Sequence, residues 1–146
     1  MKRDYGVYQV ALKVLLRRGD EVLFLRSDDG KYWDLPGGRI DNGEAKTPLQ
    51  KILAREVREE LGPAVRYKLG RPLFQFRRYY SPGRIYILQT VYDGIYLSGD
   101  IKLSHEHSSY TWINPGKITL KKKDFDNNEE YLAFKDYFKH WFNRNE

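Results

Sequence analysis

The chain contains no cysteine, so disulfides and thiolate chemistry are excluded. It also lacks any apolar run near the ~20 residues that a membrane-spanning helix needs. No internal repeat, low-complexity tract or linker interrupts it. Acidic residues are in the minority, with 20 Asp and Glu against 26 Lys and Arg, for a net charge of +6. A basic surface suits phosphate-rich ligands, although a protein with no such ligand can be equally basic. Lys121-Lys122-Lys123 is one short basic run and reads as solvated loop. Met1-Lys2-Arg3-Asp4 leads into a strand pattern containing Gln9 and Lys13, which is not a signal peptide. With 40% apolar and 32% charged residues, the expectation is a soluble cytoplasmic protein. Its length fits a single domain over 1–146.

Local patterning gives the elements. Val7 to Leu16 and Glu21 to Arg26 are apolar runs separated by Gly19-Asp20, which predicts a hairpin of two buried strands. Asp28-Asp29-Gly30 is a turn, and Tyr32 to Leu35 is short and extended. Pro36-Gly37-Gly38 ends that piece where the backbone can turn sharply or lie close to a ligand. Residues 39–47 read as loop. Pro48 to Leu61 reads as helix, with Thr47 as N-cap, Pro48 at the first position and Gln50 at the third, a capping-box signature. Gly62-Pro63 stops it. Further strands are expected at Leu73–Tyr80, Arg84–Tyr92, Ile95–Leu97 and Tyr110–Ile113, with Gly99–Ser109 as loop. Asn127 or Asn128 caps a last helix whose Tyr131, Phe134, Tyr137, Phe138, Trp141 and Phe142 recur at helical spacing, as a face docked on a sheet would. The sum is an α+β domain with a mixed sheet between helices.

Chemistry concentrates in the first helix. Relative to Glu56, Glu59 lies at about −60° and Glu60 at about +40° around the axis. The three carboxylates therefore share one face, while Leu53, Val57 and Leu61 gather on the neighbouring one. Like charges so close repel, and Arg55 four positions before Glu59 offsets only part of that. Hard oxygen ligands in a cluster suit Mg²⁺ or Mn²⁺. A solvated acidic stripe explains the helix alone equally well. The preceding loop favours the cation: Gly37-Gly38 offers bare backbone, with a carbonyl that could ligate, and Glu44 adds a carboxylate.

Gly38 to Gly62 resembles the Nudix box, whose pattern is Gly, five residues, Glu, seven residues, Arg-Glu, an aliphatic, any residue, Glu-Glu, any residue, Gly. Gly38 and Glu44 have the five-residue gap, and Arg55-Glu56-Val57-Arg58-Glu59-Glu60-Leu61-Gly62 matches the second half. Trp33 to Gly38 is similar to the usual lead-in. Ten residues rather than seven separate Glu44 from Arg55, which places a three-residue insertion at Ala45-Lys46-Thr47. That keeps the helix intact and leaves the placement of Glu44 open. Pro63 stands where an aliphatic residue is usual.

The resemblance implies a Nudix α/β/α sandwich and Mg²⁺-dependent hydrolysis of a diphosphate linkage, with Mn²⁺ as an alternative ion. Gly38, Glu44, Glu56, Glu59 and Glu60 are the implied metal ligands. Glu106, in a segment Glu106 to Trp112 like one downstream of the box in many members, is a candidate ligand or general base. Glu56 is the other candidate base, and Arg55 orients a glutamate. His105 and His107 flank Glu106 without a third zinc-type ligand and read as loop or substrate-facing residues. Arg26, Arg39, Arg77 and Arg78 are candidate phosphate clamps. Tyr79 and Tyr80, 17 and 18 residues after Gly62, resemble a tyrosine of dinucleoside polyphosphate hydrolases and could stack on a base. The favoured substrate is a nucleoside triphosphate or dinucleoside polyphosphate. The alternatives are an RNA 5′-end pyrophosphohydrolase, a non-catalytic nucleotide-binding module, and a structural interaction domain with an acidic helix. Either a monomer or a homodimer is compatible with the sequence.

Overall fold

The computed structural model describes residues 2–141. Its frame is a seven-stranded sheet. Strand β1 (Tyr8–Arg18) and strand β2 (Glu21–Ser27) form the expected hairpin around Gly19, whose φ of 60° suits a tight turn. The pairing is confined to the closed end, at Arg17↔Val22 and Arg18↔Glu21. Beyond it the two strands part. β3 (Trp33–Asp34) pairs with β2, and β4 (Gly37–Arg39) pairs with β1, so residues 33–39 fill the wedge between them.

The sequence predicts that Pro36-Gly37-Gly38 turns sharply or lies close to a ligand, and the structure makes Gly37-Gly38 part of a strand. Both residues pair in register with β1, at Lys13↔Gly37 and Leu12↔Gly38. The difference is physical: no propensity marks two glycines as a strand, but the gap beside β1 admits only bare backbone.

β5 (Arg66–Tyr80) and β6 (Ile85–Ser98) form a long hairpin around residues 81–84. The sequence predicts shorter strands here. Gly70 and Pro72 conceal the start of β5, because proline within a strand usually argues against one. Here Pro72 sits on the edge strand at a register shift, where a missing N–H is tolerated. β6 runs unbroken through the Asp93-Gly94 pair that seemed to divide it. β6 lies parallel to β1 from Tyr8↔Tyr86 to Arg17↔Ile95, and β7 (His107–Ile113) closes the other edge on β2. The sheet is therefore mixed.

Helix α1 (Leu49–Leu61) begins one residue later than expected. Pro48 is its N-cap and no side chain caps it, so the anticipated Thr47–Gln50 capping box does not form. The reciprocal contact appears instead one turn earlier, where Glu44 Oε1 accepts the Asp41 N–H at 3.0 Å. Gly62, at φ 89°, ends the helix. Helix α2 (Asn128–Phe138) is capped as expected, with Asn127 accepting the Glu130 N–H at 2.8 Å.

Alternation along β1 divides two cores. Leu12, Val14 and Leu16 pack with Ile52, Leu53, Val57 and Leu61 of α1. Leu15, with Val22, Phe24, Phe76 and Val91, packs with Phe134 and Phe138 of α2. The helices thus cover opposite faces, giving the α/β/α sandwich. In the aromatic stripe, Phe134, Phe138 and Trp141 are buried, while Tyr131 and Tyr137 are partly buried beside them. Phe142 lies outside the described residues.

Phe134 is the centre of the second core, with Phe74, Phe76 and Phe125 rings 5.1, 5.6 and 5.2 Å away. Phe134→Ala should lower unfolding free energy by about 3–5 kcal/mol, the range for truncating a buried phenylalanine. Urea denaturation checks this, and a loss under about 1 kcal/mol would contradict the packing.

Candidate active site

The wedge between β1 and β2 positions the site. Gly37 has φ 143°, and a Cβ there would lie well inside contact distance of the Leu12 carbonyl. A Cβ on Gly38 would collide with the Glu56 carboxylate. These two bare residues let α1 approach β4 until its acidic face meets the strand. Glu60 closes the approach: it is 4% exposed, and its Oε2 accepts the Gly37 N–H at 3.1 Å.

The three helix glutamates occupy one face, as the turn geometry requires, but differ in environment. The Glu59 side chain is 59% exposed and that of Glu56 only 15%. Arg55 stands among them. Its Nη2 is 2.7 Å from Glu44 and 3.0 Å from Glu56, and its Nη1 is 3.2 Å from Glu59. The inserted residues bulge at 45–47 and leave Glu44 attached to this cluster. Hydrogen bonding to Arg55 holds the Glu44 carboxyl below its usual range. Burial pushes Glu56 upward against the pull of Arg55. Burial pushes Glu60 further, up to about 7, with Asp34 adding to it while Lys13, His107 and the Gly37 N–H oppose.

Among the described residues no three His, Asp or Glu side chains converge into a closed metal cage. Glu60 is turned onto the Gly37 amide, and Arg55 occupies the space among Glu44, Glu56 and Glu59. What is present is a donor set: hard carboxylate oxygens, those of Glu56 and Glu60 of raised proton affinity, beside a glycine whose missing Cβ leaves room at Glu56. That set fits a small divalent cation.

A second polar cluster underlies the cleft. Lys13 Nζ is 3.4 Å from Asp34 and 3.3 Å from the Leu35 carbonyl. Asp34 also meets Arg78 at 3.3 Å and His107 Nε2 at 3.1 Å. Arg78 in turn donates to Glu130 of α2 at 2.6 and 2.8 Å. Burial alone would raise the Asp34 carboxyl, but Lys13, Arg78 and His107 together hold it far below the usual range. Burial works against the His107 imidazolium, and Asp34 and Glu60 outweigh it to raise the imidazole. The sequence pattern does not single out Lys13, Asp34 or Glu130, and it predicts His107 as a loop or substrate-facing residue and Arg78 as a candidate phosphate clamp. Two signals were available: Lys13 is a lone cation in an apolar strand, and Asp34 is an acid inside a short apolar piece.

A cleft of about 740 Å³ runs over both clusters. Gly38, Arg39, Arg55, Glu56, Glu59, Glu60, Tyr80 and Glu106 all border it. Arg39 reaches across to Tyr80, its guanidinium 4.4 Å from the ring centroid. Two expected clamps lie elsewhere. Arg26 stacks on Trp33 at 3.5 Å and pairs with Asp124. Arg77, turned to the opposite side of β5 from Arg78 by strand alternation, is tied to Glu129 at 2.6 Å. It borders a separate hollow with Tyr79 and Tyr86. His105 is exposed.

The model of the NUDIX domain family matches residues 7–134. A putative 8-oxo-dGTP diphosphatase of Bacillus subtilis (strain 168) is 32% identical over 117 residues, covering 77% of this chain and 70% of that protein. The nucleoside triphosphatase NudI of Salmonella schwarzengrund is 32% identical over 96 residues, covering 60% of this chain and 65% of that protein. A crystal structure of a MutT protein from Methanosarcina mazei Go1 matches with TM-score 0.71 and 28% identity over 99% of both chains. This chain, carrying the complete acidic face of α1 beside Gly38, belongs to the Nudix family and is a hydrolase of pyrophosphate linkages.

Proposed function

We propose that this protein hydrolyses a diphosphate linkage in a nucleoside triphosphate or dinucleoside polyphosphate, with Mg²⁺ as its ion and Mn²⁺ as a substitute. The observation that carries the reading is Gly38 pressed against the Glu56 carboxylate, with Glu59 and Glu60 on the same helical face. Nudix enzymes generally use divalent cations, and relatives of this chain are named a putative 8-oxo-dGTP diphosphatase and a nucleoside triphosphatase. Glu56, Glu59, Glu60 and the Gly38 carbonyl are the residues that would hold the ion. Bound there, it would neutralise charge developing at phosphorus and acidify an attacking water.

The chain supplies the remaining functions. Arg55 keeps Glu44, Glu56 and Glu59 within one cluster despite their mutual repulsion. Glu56, partly desolvated and so more basic than a free carboxylate, takes the proton from water. Glu106, on the exposed loop before β7, is the other carboxylate at the cleft that could do so. Arg39 and Lys13 present cations to the phosphates. Tyr80 offers a ring against which a base can stack.

Glu59→Gln and Glu60→Gln should each reduce Mg²⁺-dependent phosphate release from a nucleotide panel by roughly a hundredfold or more, given the several kcal/mol a metal contributes. The circular dichroism spectrum should not change. Full turnover in either purified variant would remove the proposed ion site.

The raised Glu60 carboxyl also links pH to stability. Its folded value of about 7 exceeds its ordinary 4.5, so the folded state binds the extra proton. The stabilisation is complete below about 4.5 and is lost as pH rises through about 7. His107, also raised, acts in the same direction. In chelator, melting temperature should therefore fall between pH 5 and 7, and Glu60→Gln should flatten the fall. Saturating Mg²⁺ should raise the neutral-pH melting temperature by binding the ionised form. A wild-type curve that is flat in chelator would contradict this.

A further inference from the structure

Gln89 is a residue of the cleft whose chemistry the preceding reading leaves unused. It lies on β6, is 3% exposed, and lines the cleft. Its Oε1 is buried and, among the described residues, accepts no hydrogen bond. Buried amides are nearly always paired, because an unpaired one destabilises the fold that contains it. This one is retained at the base of an open cleft rather than inside a core.

The sheet register shows what surrounds it. Arg39, Ala11, Gln89 and Phe76 form a row across β4, β1, β6 and β5, and residues paired in register share a face. Ala11, beside Gln89 on β1, has almost no side chain, and both residues line the cleft. Arg39 and Tyr80 rise from the two strands that flank β1 and β6, and their side chains meet at 4.4 Å. These two planar groups line the same cleft as the buried amide with its unused acceptor.

We propose that Gln89 is a specificity-determining residue that reads the hydrogen-bonding edge of the substrate's nucleobase, with Tyr80 providing a stacking surface. A side-chain amide places a donor next to an acceptor, which matches the adjacent acceptor and donor on a base edge. Phosphates offer acceptors only and cannot satisfy Oε1. The inference rests on this cleft being the nucleotide site proposed above.

The test separates base from phosphate. Dissociation constants are measured by calorimetry for AMP, GMP, CMP, UMP and their baseless counterpart, ribose 5-phosphate, with wild type and Gln89→Leu. In the wild type at least one nucleotide should bind about tenfold more tightly than ribose 5-phosphate, the scale of a bidentate base contact. Gln89→Leu should remove most of that advantage and leave ribose 5-phosphate within about twofold. Its melting temperature should be unchanged or higher, because an unpaired buried amide has been replaced by an apolar group of similar size. Unchanged nucleotide affinity in the variant would overturn the inference. So would a lower melting temperature with every ligand weakened alike, since Gln89 would then be structural. Triphosphate hydrolysis measured in parallel distinguishes the two readings. Hydrolysis with no base preference keeps the activity and removes the base site; base-selective binding without hydrolysis does the reverse.

Discussion

Two residues without side chains set the geometry of this protein. Gly37 lies against the β1 backbone and Gly38 against a carboxylate, both closer than any Cβ permits. Because they fit there, the β1–β2 hairpin can open, a short strand can enter the wedge, and α1 can settle with its acidic face against that strand. A side chain at either position would push β4 off β1 or α1 off β4. The buried Glu60 carboxylate then finds the Gly37 amide, which gives it a donor that water can no longer supply.

The consequence is a concentration of negative charge that the fold must hold. Two like charges 4 Å apart repel by about 4 kcal/mol near a protein surface. Arg55 answers on the outer side by contacting three carboxylates at once. Lys13 answers on the inner side, close to both Asp34 and Glu60. Neither cation removes the desolvation of Glu56 and Glu60, whose proton affinities stay raised. The helix is thus compensated enough to fold while its carboxylates keep a demand for positive charge.

Much of this could be read from the residues. The spacing of Glu56, Glu59 and Glu60, the cap at Asn127, the stop at Gly62 and the docked face of α2 are local properties, carried by helical periodicity and cap chemistry. Gly38, Glu44 and Arg55 were legible through the motif, and the three inserted residues bulge in the loop as the count implied. Elsewhere position depends on partners far along the chain. Gly37-Gly38 is a strand only because β1 is beside it. Pro72 is tolerated only because β5 is an edge. Arg77 and Arg78 are adjacent and look equivalent, yet one is tied to the exposed Glu129 and the other to buried Glu130 and Asp34. Thr47 carries a sound capping signature that the structure does not use, because the helix starts at Leu49 with Pro48 in the N-cap position.

The Arg78 bridge also explains why α2 matters to a cleft it does not border with its aromatic face. Phe134 and Phe138 anchor the helix on the sheet, an apolar contact that many sequences could make. Glu130 adds a constraint that fewer could satisfy. It is fully buried and held by Arg78, which also holds Asp34, which in turn meets Lys13 and His107. Such a chain contributes little net stability, since desolvation offsets much of its attraction, but leaving one member unpaired is costly. The helix, β1, β3, β5 and β7 are therefore fixed relative to one another where the cleft needs a fixed floor. Apolar packing brings the layers together, and the ionic chain sets their alignment beneath the acidic face of α1.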